Sequence, residues 1–386
     1  MRVAVVGTGF IGPVHVEALR RAGQSVVGIL GSSRDKSVAA AKRLDIPRGY
    51  ADLDDLLSDN TVEAVHLASP NTAHFPQARA VLEAGRHLLC EKPLAMNSAE
   101  SSALVELAAK SGVAAGVNDN CRFYSLVLET RARVAAGELG ALFHVSGSYT
   151  QDWLLHETDF NWRVEAEQGG ELRAVADIGT HWLDLVQFVT GQAVTAVCAD
   201  LLTVHPVRRP RAGSHETFTG SGGQQTGASE SPCVTVSTED YGAILLEFEG
   251  GLRGVAHVSQ VTAGRKNCLR FELAGSRQSA AWNSESSERL WLGRRESANA
   301  ELIRDPSLLA ETTRPFTDYP GGHNEGFPDT HKQLFRAFYR DIASGAYRDR
   351  PQFPTFADGH REILLCEAVL ASHRQRRWVN VGETAG

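Results

Sequence analysis

Three side chains in this 386-residue chain are of the type that moves a proton to or from a hydroxyl: Lys92, in Cys90-Glu91-Lys92-Pro93, and Asp177 with His181, in Asp177-Ile178-Gly179-Thr180-His181. Pro93 restricts Lys92 to extended backbone, so the amine projects from the end of the apolar run that precedes it. Residues four apart on a helix share a face, which points Asp177 and His181 into one space, and Asp184 continues that face. To oxidise a secondary alcohol, an enzyme needs a base within hydrogen-bond reach of the hydroxyl and a donor for the developing alkoxide. A lysine alone is an ordinary surface residue and an Asp–His pair alone an ordinary helix pair. Their meaning depends on what else the chain carries.

It carries Gly7-Thr8-Gly9-Phe10-Ile11-Gly12, directly after the apolar run Val3-Ala4-Val5-Val6 and before a helical pattern. In that context G-x-G-x-x-G is a dinucleotide fingerprint: the first glycine makes the tight turn, the second lets the backbone approach a pyrophosphate, and the third lets helix and strand pack closely. The end of the second strand decides which dinucleotide. An acidic residue there accepts from the ribose 2′-hydroxyl of NAD, but the chain has Gly31-Ser32-Ser33-Arg34, two hydroxyls and a guanidinium suited to the 2′-phosphate of NADP. NAD(P) is the expected cofactor, with NADP favoured; Asp35, one residue on, is the route back to NAD, and a solvated turn is the bland alternative for Arg34. Ser69, Asn71, His74 and Glu91 join the six turn residues and Lys92 in the expected cofactor site. His15 is either structural or adjacent to the cofactor.

The elements that must position these groups fall into two halves. From 1 to about 122, apolar strands alternate with helical patterns, as a parallel sheet covered on both faces requires. From 123 to 386 the pattern changes: runs at 143–150, 194–204, 234–238, 242–248, 252–261 and 269–274 alternate with period two, as an antiparallel sheet with one covered face does. Helices are expected at 125–136, 330–343 and 357–372, and the stretch 206–232, rich in Gly, Ser, Thr and Arg, reads as a long surface arm. Thirty-nine basic against 46 acidic residues give a net charge of −7, and the basic clusters at 208–211 and 374–377 are too short to hold a nucleic-acid backbone. No apolar window is long enough for a membrane span. The six cysteines are far apart, which indicates neither a disulfide framework nor a zinc site and fits the cytoplasm.

With the glycine turn, the loop Ser69-Pro70-Asn71-Thr72-Ala73-His74, Glu91-Lys92-Pro93 and Asp177-x-x-x-His181, the chain resembles the glucose–fructose oxidoreductase and inositol dehydrogenase family over nearly its whole length. The resemblance implies an α/β protein: an N-terminal Rossmann domain with a doubly wound parallel sheet, then an α+β domain with a large open, mostly antiparallel sheet. It also implies an NAD(P)-dependent dehydrogenase acting on a sugar, glycoside or cyclitol, with Lys92, Asp177 and His181 catalytic, and a homodimer or homotetramer formed through the second sheet. His181 is the expected base, Lys92 shares the proton or stabilises the alkoxide, and Asp177 bonds the sugar and orients the lysine or the substrate, the three converging on the nicotinamide. Sugar recognition calls for several hydroxyl partners, and Asn118, Asn120, Arg122, Tyr124, Gln151, Asp152, Trp153, Asn161, Trp162, Arg163 and His323 are the polar and aromatic candidates near the motifs. For Trp153 and Trp162, packing in the core and stacking on a sugar ring are equally open readings. No Arg/Lys cluster dedicated to a phosphate lies near them, so the sugar is expected to be unphosphorylated. Two other functions remain compatible: a glycoside hydrolase that uses transient oxidation and elimination, and a non-catalytic NADP-binding regulator, which would have no need of Lys92, Asp177 and His181.

Overall fold

A computed structural model describes residues 1–209 and 233–383, so most of the expected arm at 206–232 lies outside the described residues. The chain divides into two compact units, Met1–Tyr124 with Gly326–Leu364, and Ser125–Glu325 with Leu365–Gly386. The division after Tyr124 falls near the expected 122/123 boundary. The return of 326–364 to the first unit was not expected: its helix, Phe327–Ser344, packs against the helix that follows the glycine turn.

The first unit is built on six parallel strands: β1 (Arg2–Val6), β2 (Ser25–Leu30), β3 (Arg48–Gly49), β4 (Ala64–Leu67), β5 (His87–Cys90) and β6 (Ala115–Val117), in the order β3-β2-β1-β4-β5-β6. Five helices connect them: α1 (Ile11–Arg21), α2 (Arg34–Arg43), α3 (Leu53–Ser58), α4 (Asn71–Glu83) and α5 (Ser98–Ser111). Continuous apolar runs form these strands because helices cover both faces; Val3, Ala4, Val5, Val65 and Leu67 have no exposed surface. Side-chain caps start the helices: Ser33 accepts from the Lys36 amide for α2, and Asn97 from the Glu100 amide for α5. Strand order reverses between β1 and β4, the crevice where such sheets take ligands, and the turn Gly7–Gly12 leaves β1 there.

The second unit holds a nine-stranded sheet of β7 (Leu142–Thr150), β8 (Val194–Leu202), β11 (Tyr241–Phe248), β12 (Arg253–Ser259), β13 (Cys268–Gly275), β14 (Ser279–Asn283), β15 (Arg289–Gly293), β16 (Ala300–Ile303) and β17 (Val379–Asn380). Its order is β16-β15-β14-β13-β7-β12-β11-β8-β17, antiparallel throughout except for the parallel pair β7/β12. Strands β14 to β16, which extend one edge, were not anticipated, although Ala280, Trp282, Leu290 and Leu292 do alternate inward. The expected strand 234–238 shrinks to β10 (Val234–Thr235), paired with β9 (Val207–Arg208) in a separate two-stranded ribbon. One face of the large sheet carries the helix Thr180–Thr190. Trp182 is fully buried and its indole N–H donates to the Arg270 carbonyl at 2.9 Å; any Cβ at Gly147 would collide with that ring. The opposite face leaves Leu245 and Val255, which are register partners, together with Trp291 and Ile303, largely exposed.

Candidate functional site

In the first unit the turn has the shape a dinucleotide requires. Gly7 has φ +125°, and a Cβ there would lie 2.2 Å from the Ala68 carbonyl oxygen; at Gly12 it would meet the Gly7 carbonyl oxygen at the same distance. At Gly9 a Cβ would meet nothing within 4 Å, so the backbone borders open space. Helix α1 starts there with no side chain capping its first turn and no acidic residue in it, leaving backbone N–H groups and the positive end of the helix dipole for an anion. Thr8, Phe10 and Ile11 line the same turn, with Phe10 exposed. These residues fit the pyrophosphate of a dinucleotide.

At the end of β2, Ser32, Ser33 and Arg34 are exposed at the start of α2. The Lys36 ammonium donates to Ser32 Oγ at 3.0 Å, adding a second cation that sequence reasoning passed over. Ser69 donates to Gln77 Oε1 at 2.6 Å, and Asn71 opens α4.

Behind the turn lies a buried chain of polar groups. Tyr339 Oη stands 2.8 Å from His66 Nε2, His66 Nδ1 stands 3.0 Å from His15 Nδ1, and His15 Nε2 stands 2.9 Å from Glu91 Oε1. A carboxylate can only accept, so His15 donates from Nε2; its Nδ1 then accepts from His66 Nδ1–H, and His66 Nε2 accepts from the tyrosine hydroxyl. This one-way chain satisfies every atom with both imidazoles neutral. Asn118 also donates to Glu91 Oε1, and the Lys92 amide to Oε2 at 3.3 Å. Burial pushes the Glu91 carboxyl up, but the hydrogen bond from His15 and the charge of Lys92 oppose it and hold it below the ordinary carboxylate value. Burial pushes His66 well below the ordinary imidazole value and lowers His331, whose ring centre lies 6.1 Å from that of His15, to about 4. His66 sits amid the apolar run Ala64-Val65-His66-Leu67, and a polar residue inside a doubly covered strand was the available signal for this chain.

Lys92 follows Glu91 at the carboxyl end of β5, half-buried, with a cis peptide bond to Pro93. Several other expected ligand contacts turn out to be internal struts. Glu91 faces His15 and Asn118. His74 is buried, with Nδ1 2.7 Å from the Pro93 carbonyl oxygen and Nε2 2.9 Å from that of Ser69, so neither nitrogen is left for a cofactor. Asn120 is buried and donates to Thr330 Oγ1 at 2.7 Å, and Arg122 pairs with Asp358 at 2.8 Å. Tyr124 is buried too, which raises its hydroxyl pKa far above the usual range.

In the second unit Asp177 lies on a π-helical turn, Val175–Gly179, that leads into the helix bearing His181. Such wide turns occur mostly as single insertions and often at functional positions. Asp177 Oδ2 accepts from Gln260 Nε2 at 2.7 Å, and Arg163 Nε stands 3.4 Å from Oδ1. The His181 ring is half-buried and tilted against Tyr149, with ring centres 6.2 Å apart. The Arg163 guanidinium lies 4.5 Å over the Trp162 ring, and Asn161 caps the short helical turn that carries both. Trp153 takes the core reading: it donates to Gln151 Oε1 at 2.8 Å and packs on the cluster of Leu154, Val164 and Val236. Asp152 is bound to Lys266 at 2.8 Å, Asp184 is buried, and His323 is exposed on its loop.

Beneath Asp177 two arginines are sealed from solvent. Arg173 and Arg208 both bond Asp240 Oδ1, Arg173 Nη1 donates to Gln260 Oε1, and Glu239 accepts from the amides of Arg173 and Val175. Nothing in the sequence pattern marked Gln260; Arg173, set in Leu172-Arg173-Ala174-Val175, was detectable as a charge in an apolar run.

The chain thus joins a dinucleotide-type parallel sheet to an α+β unit bearing hydrogen-bonding and acid–base side chains, the class of two-domain nucleotide-dependent oxidoreductases. Residues 1–119 match the model of the oxidoreductase family with an NAD-binding Rossmann fold, and residues 127–281 match the GFO/IDH/MocA C-terminal domain. The chain belongs to the GFO/IDH/MocA oxidoreductase family. It is 27% identical to levoglucosan dehydrogenase of Pseudarthrobacter phenanthrenivorans, over 99% of this chain and 98% of that one. It is 24% identical to myo-inositol 2-dehydrogenase of Thermotoga maritima, over the full length of both. Among solved structures, an oxidoreductase domain protein from Kribbella flavida superposes with a TM-score of 0.87 at 27% identity, covering 99% of each chain. Among the described residues no helix is long and apolar enough to cross a membrane.

Proposed function

We propose that the protein transfers a hydride between a nicotinamide dinucleotide and a secondary-alcohol carbon of an unphosphorylated sugar, glycoside or cyclitol. The observation that carries this reading is the turn at Gly7–Gly12, open at Gly9 and uncapped at the start of α1, in a family described as NAD-binding oxidoreductases. The full-length relatives named for levoglucosan and myo-inositol support the substrate class.

When bound, the dinucleotide supplies the hydride acceptor or donor. The chain's own part is the proton and the orientation of the sugar. His181 takes the hydroxyl proton as the carbon is oxidised and returns it in reduction. Lys92 shares that proton or stabilises the developing alkoxide. Asp177, fixed between Gln260 and Arg163, accepts from a sugar hydroxyl and sets its direction. Trp162 and Arg163 offer a flat, polar-edged surface to the ring.

NADP is favoured over NAD in this reading, because Ser32, Ser33 and Arg34 stand at the end of β2 with Lys36 beside Ser32. The exposed apolar face of the nine-stranded sheet supports self-association into a homodimer or homotetramer. Six free thiols fit a reducing cytoplasm. The test is a screen of free sugars, glycosides and cyclitols, levoglucosan and myo-inositol among them, against both oxidised dinucleotides, read as absorbance of the reduced nicotinamide. Reduced dinucleotide formed in proportion to product supports the dehydrogenase. Glycoside cleavage without it points instead to the eliminating hydrolase, and no turnover of any kind removes the reading.

A further inference from the structure

Gln260, which follows β12, is fully buried, and its backbone is held on both sides: its amide donates to the Asp240 carbonyl at 3.0 Å and its carbonyl accepts from the Leu154 amide at 3.2 Å. Both ends of the side-chain amide are also engaged. An arginine has five N–H donors and no acceptor, so the 2.8 Å bond to Arg173 Nη1 requires the amide oxygen on that side. The NH2 group must therefore face Asp177, where it lies 2.7 Å from Oδ2. Arg173 cannot swing away to release this orientation, because it is 1% exposed and bonded to Asp240 and Thr238 as well.

We propose that Gln260 is a positioning residue for the reaction: it transmits the rigidity of the buried arginine to Asp177 and supplies a neutral donor that holds the carboxylate in one rotamer, as an acceptor toward the substrate. The inference rests on the reading of Asp177 as a substrate-contacting group. A neutral amide suits this task. It adds no second cation to the one that Arg163 already sets beside the carboxylate, and an anion in its place would repel it. The charged and titratable groups around Asp177 include Arg163 from the turn at Asn161–Val164, His181 further along its own helical segment, and Arg173 behind Gln260. Beyond Arg173, Asp240 is committed to Arg173 and Arg208, and Glu239 to backbone amides.

The test uses the full-length enzyme with levoglucosan and oxidised dinucleotide, and compares Gln260→Leu, Gln260→Glu and Asp177→Asn. Gln260→Leu removes both side-chain hydrogen bonds, the one to Asp177 and the one from Arg173, and kcat/KM falls about 10- to 100-fold. Gln260→Glu keeps the bond to Arg173, and so the fold, but sets a carboxylate against Asp177. Its loss is largest at alkaline pH and shrinks on acidification, when one proton shared by the pair restores a donor. A readout independent of turnover is the carboxyl carbon-13 titration of Asp177, assigned by its disappearance in Asp177→Asn; in Gln260→Glu its midpoint rises by about one pH unit or more. Wild-type kcat/KM in Gln260→Leu, or a pH-independent loss with an unmoved Asp177 midpoint in Gln260→Glu, overturns the role of Gln260. Wild-type turnover in Asp177→Asn fails the underlying reading of Asp177 instead, and is seen in a different protein sample.

Discussion

Each unit buries a polar network beneath its chemistry-bearing turn, but the two are built from opposite materials. Under Lys92, neutral histidines and a tyrosine converge on one carboxylate, Glu91. Under Asp177, two arginines share one aspartate, Asp240. The first network includes His66, which burial keeps uncharged, so it is sensitive to mild acid. The second depends on charges that persist across that range and fail when a partner is removed. A buried ion pair stabilises little relative to an apolar core, but breaking one strands an uncompensated charge.

The largest effect is therefore expected at Asp240→Ala, which leaves Arg173 and Arg208 without their shared anion. We expect a loss of about 3–5 kcal/mol in urea unfolding. Tryptophan fluorescence is the suitable probe, because all six tryptophans lie in the second unit. A loss below about 1 kcal/mol would erase the contrast between the networks. Next comes Lys92→Ala, which keeps the backbone amide that donates to Glu91: turnover should fall by about two to four orders of magnitude, while the thermal midpoint and dinucleotide affinity stay near wild type. Weakened dinucleotide binding with normal turnover would move Lys92 out of the reaction.

The acid response sharpens the comparison further. The pKa of His331 in the folded state, about 4, lies below the ordinary imidazole value of 6.5. The folded chain thus binds fewer protons than the unfolded one between those values, and stability falls as pH drops through 6.5 toward 4. At pH 5 this group alone costs of the order of 2 kcal/mol, and His66, shifted the same way, adds to it. Stability at pH 7 and pH 5 should differ accordingly in wild type and differ less in His331→Phe; an equal difference in both would assign the acid lability elsewhere. The smallest effect belongs to the exposed start of α2, where Arg34→Ala should weaken NADP binding about tenfold and leave NAD binding nearly unchanged. Equal changes in both would remove the preference for NADP.

The legibility of the site followed the same division. The glycine turn could be read because strand, turn and helix are contiguous and each glycine answers a local steric demand. Glu91 and His74 stand in the same recognisable motifs, but the motif letters do not say which way a side chain faces, and both face inward on partners 76 and 19 residues away in sequence. The helix expected at Asp177 carries a π-turn, which spacing alone does not reveal because it does not count the backbone hydrogen bonds of a turn.

By itself the sequence determined the parallel and antiparallel halves, the dinucleotide turn and the short list of groups able to move a proton, since periodicity and local turn chemistry act over a few residues. Tertiary structure alone decided that 326–364 packs with the first unit, that His66 and Tyr339 meet across 273 residues, and that Gln260 stands between Arg173 and Asp177. Those choices come from pairing most buried donors and acceptors at once, a condition that no local stretch of sequence can express.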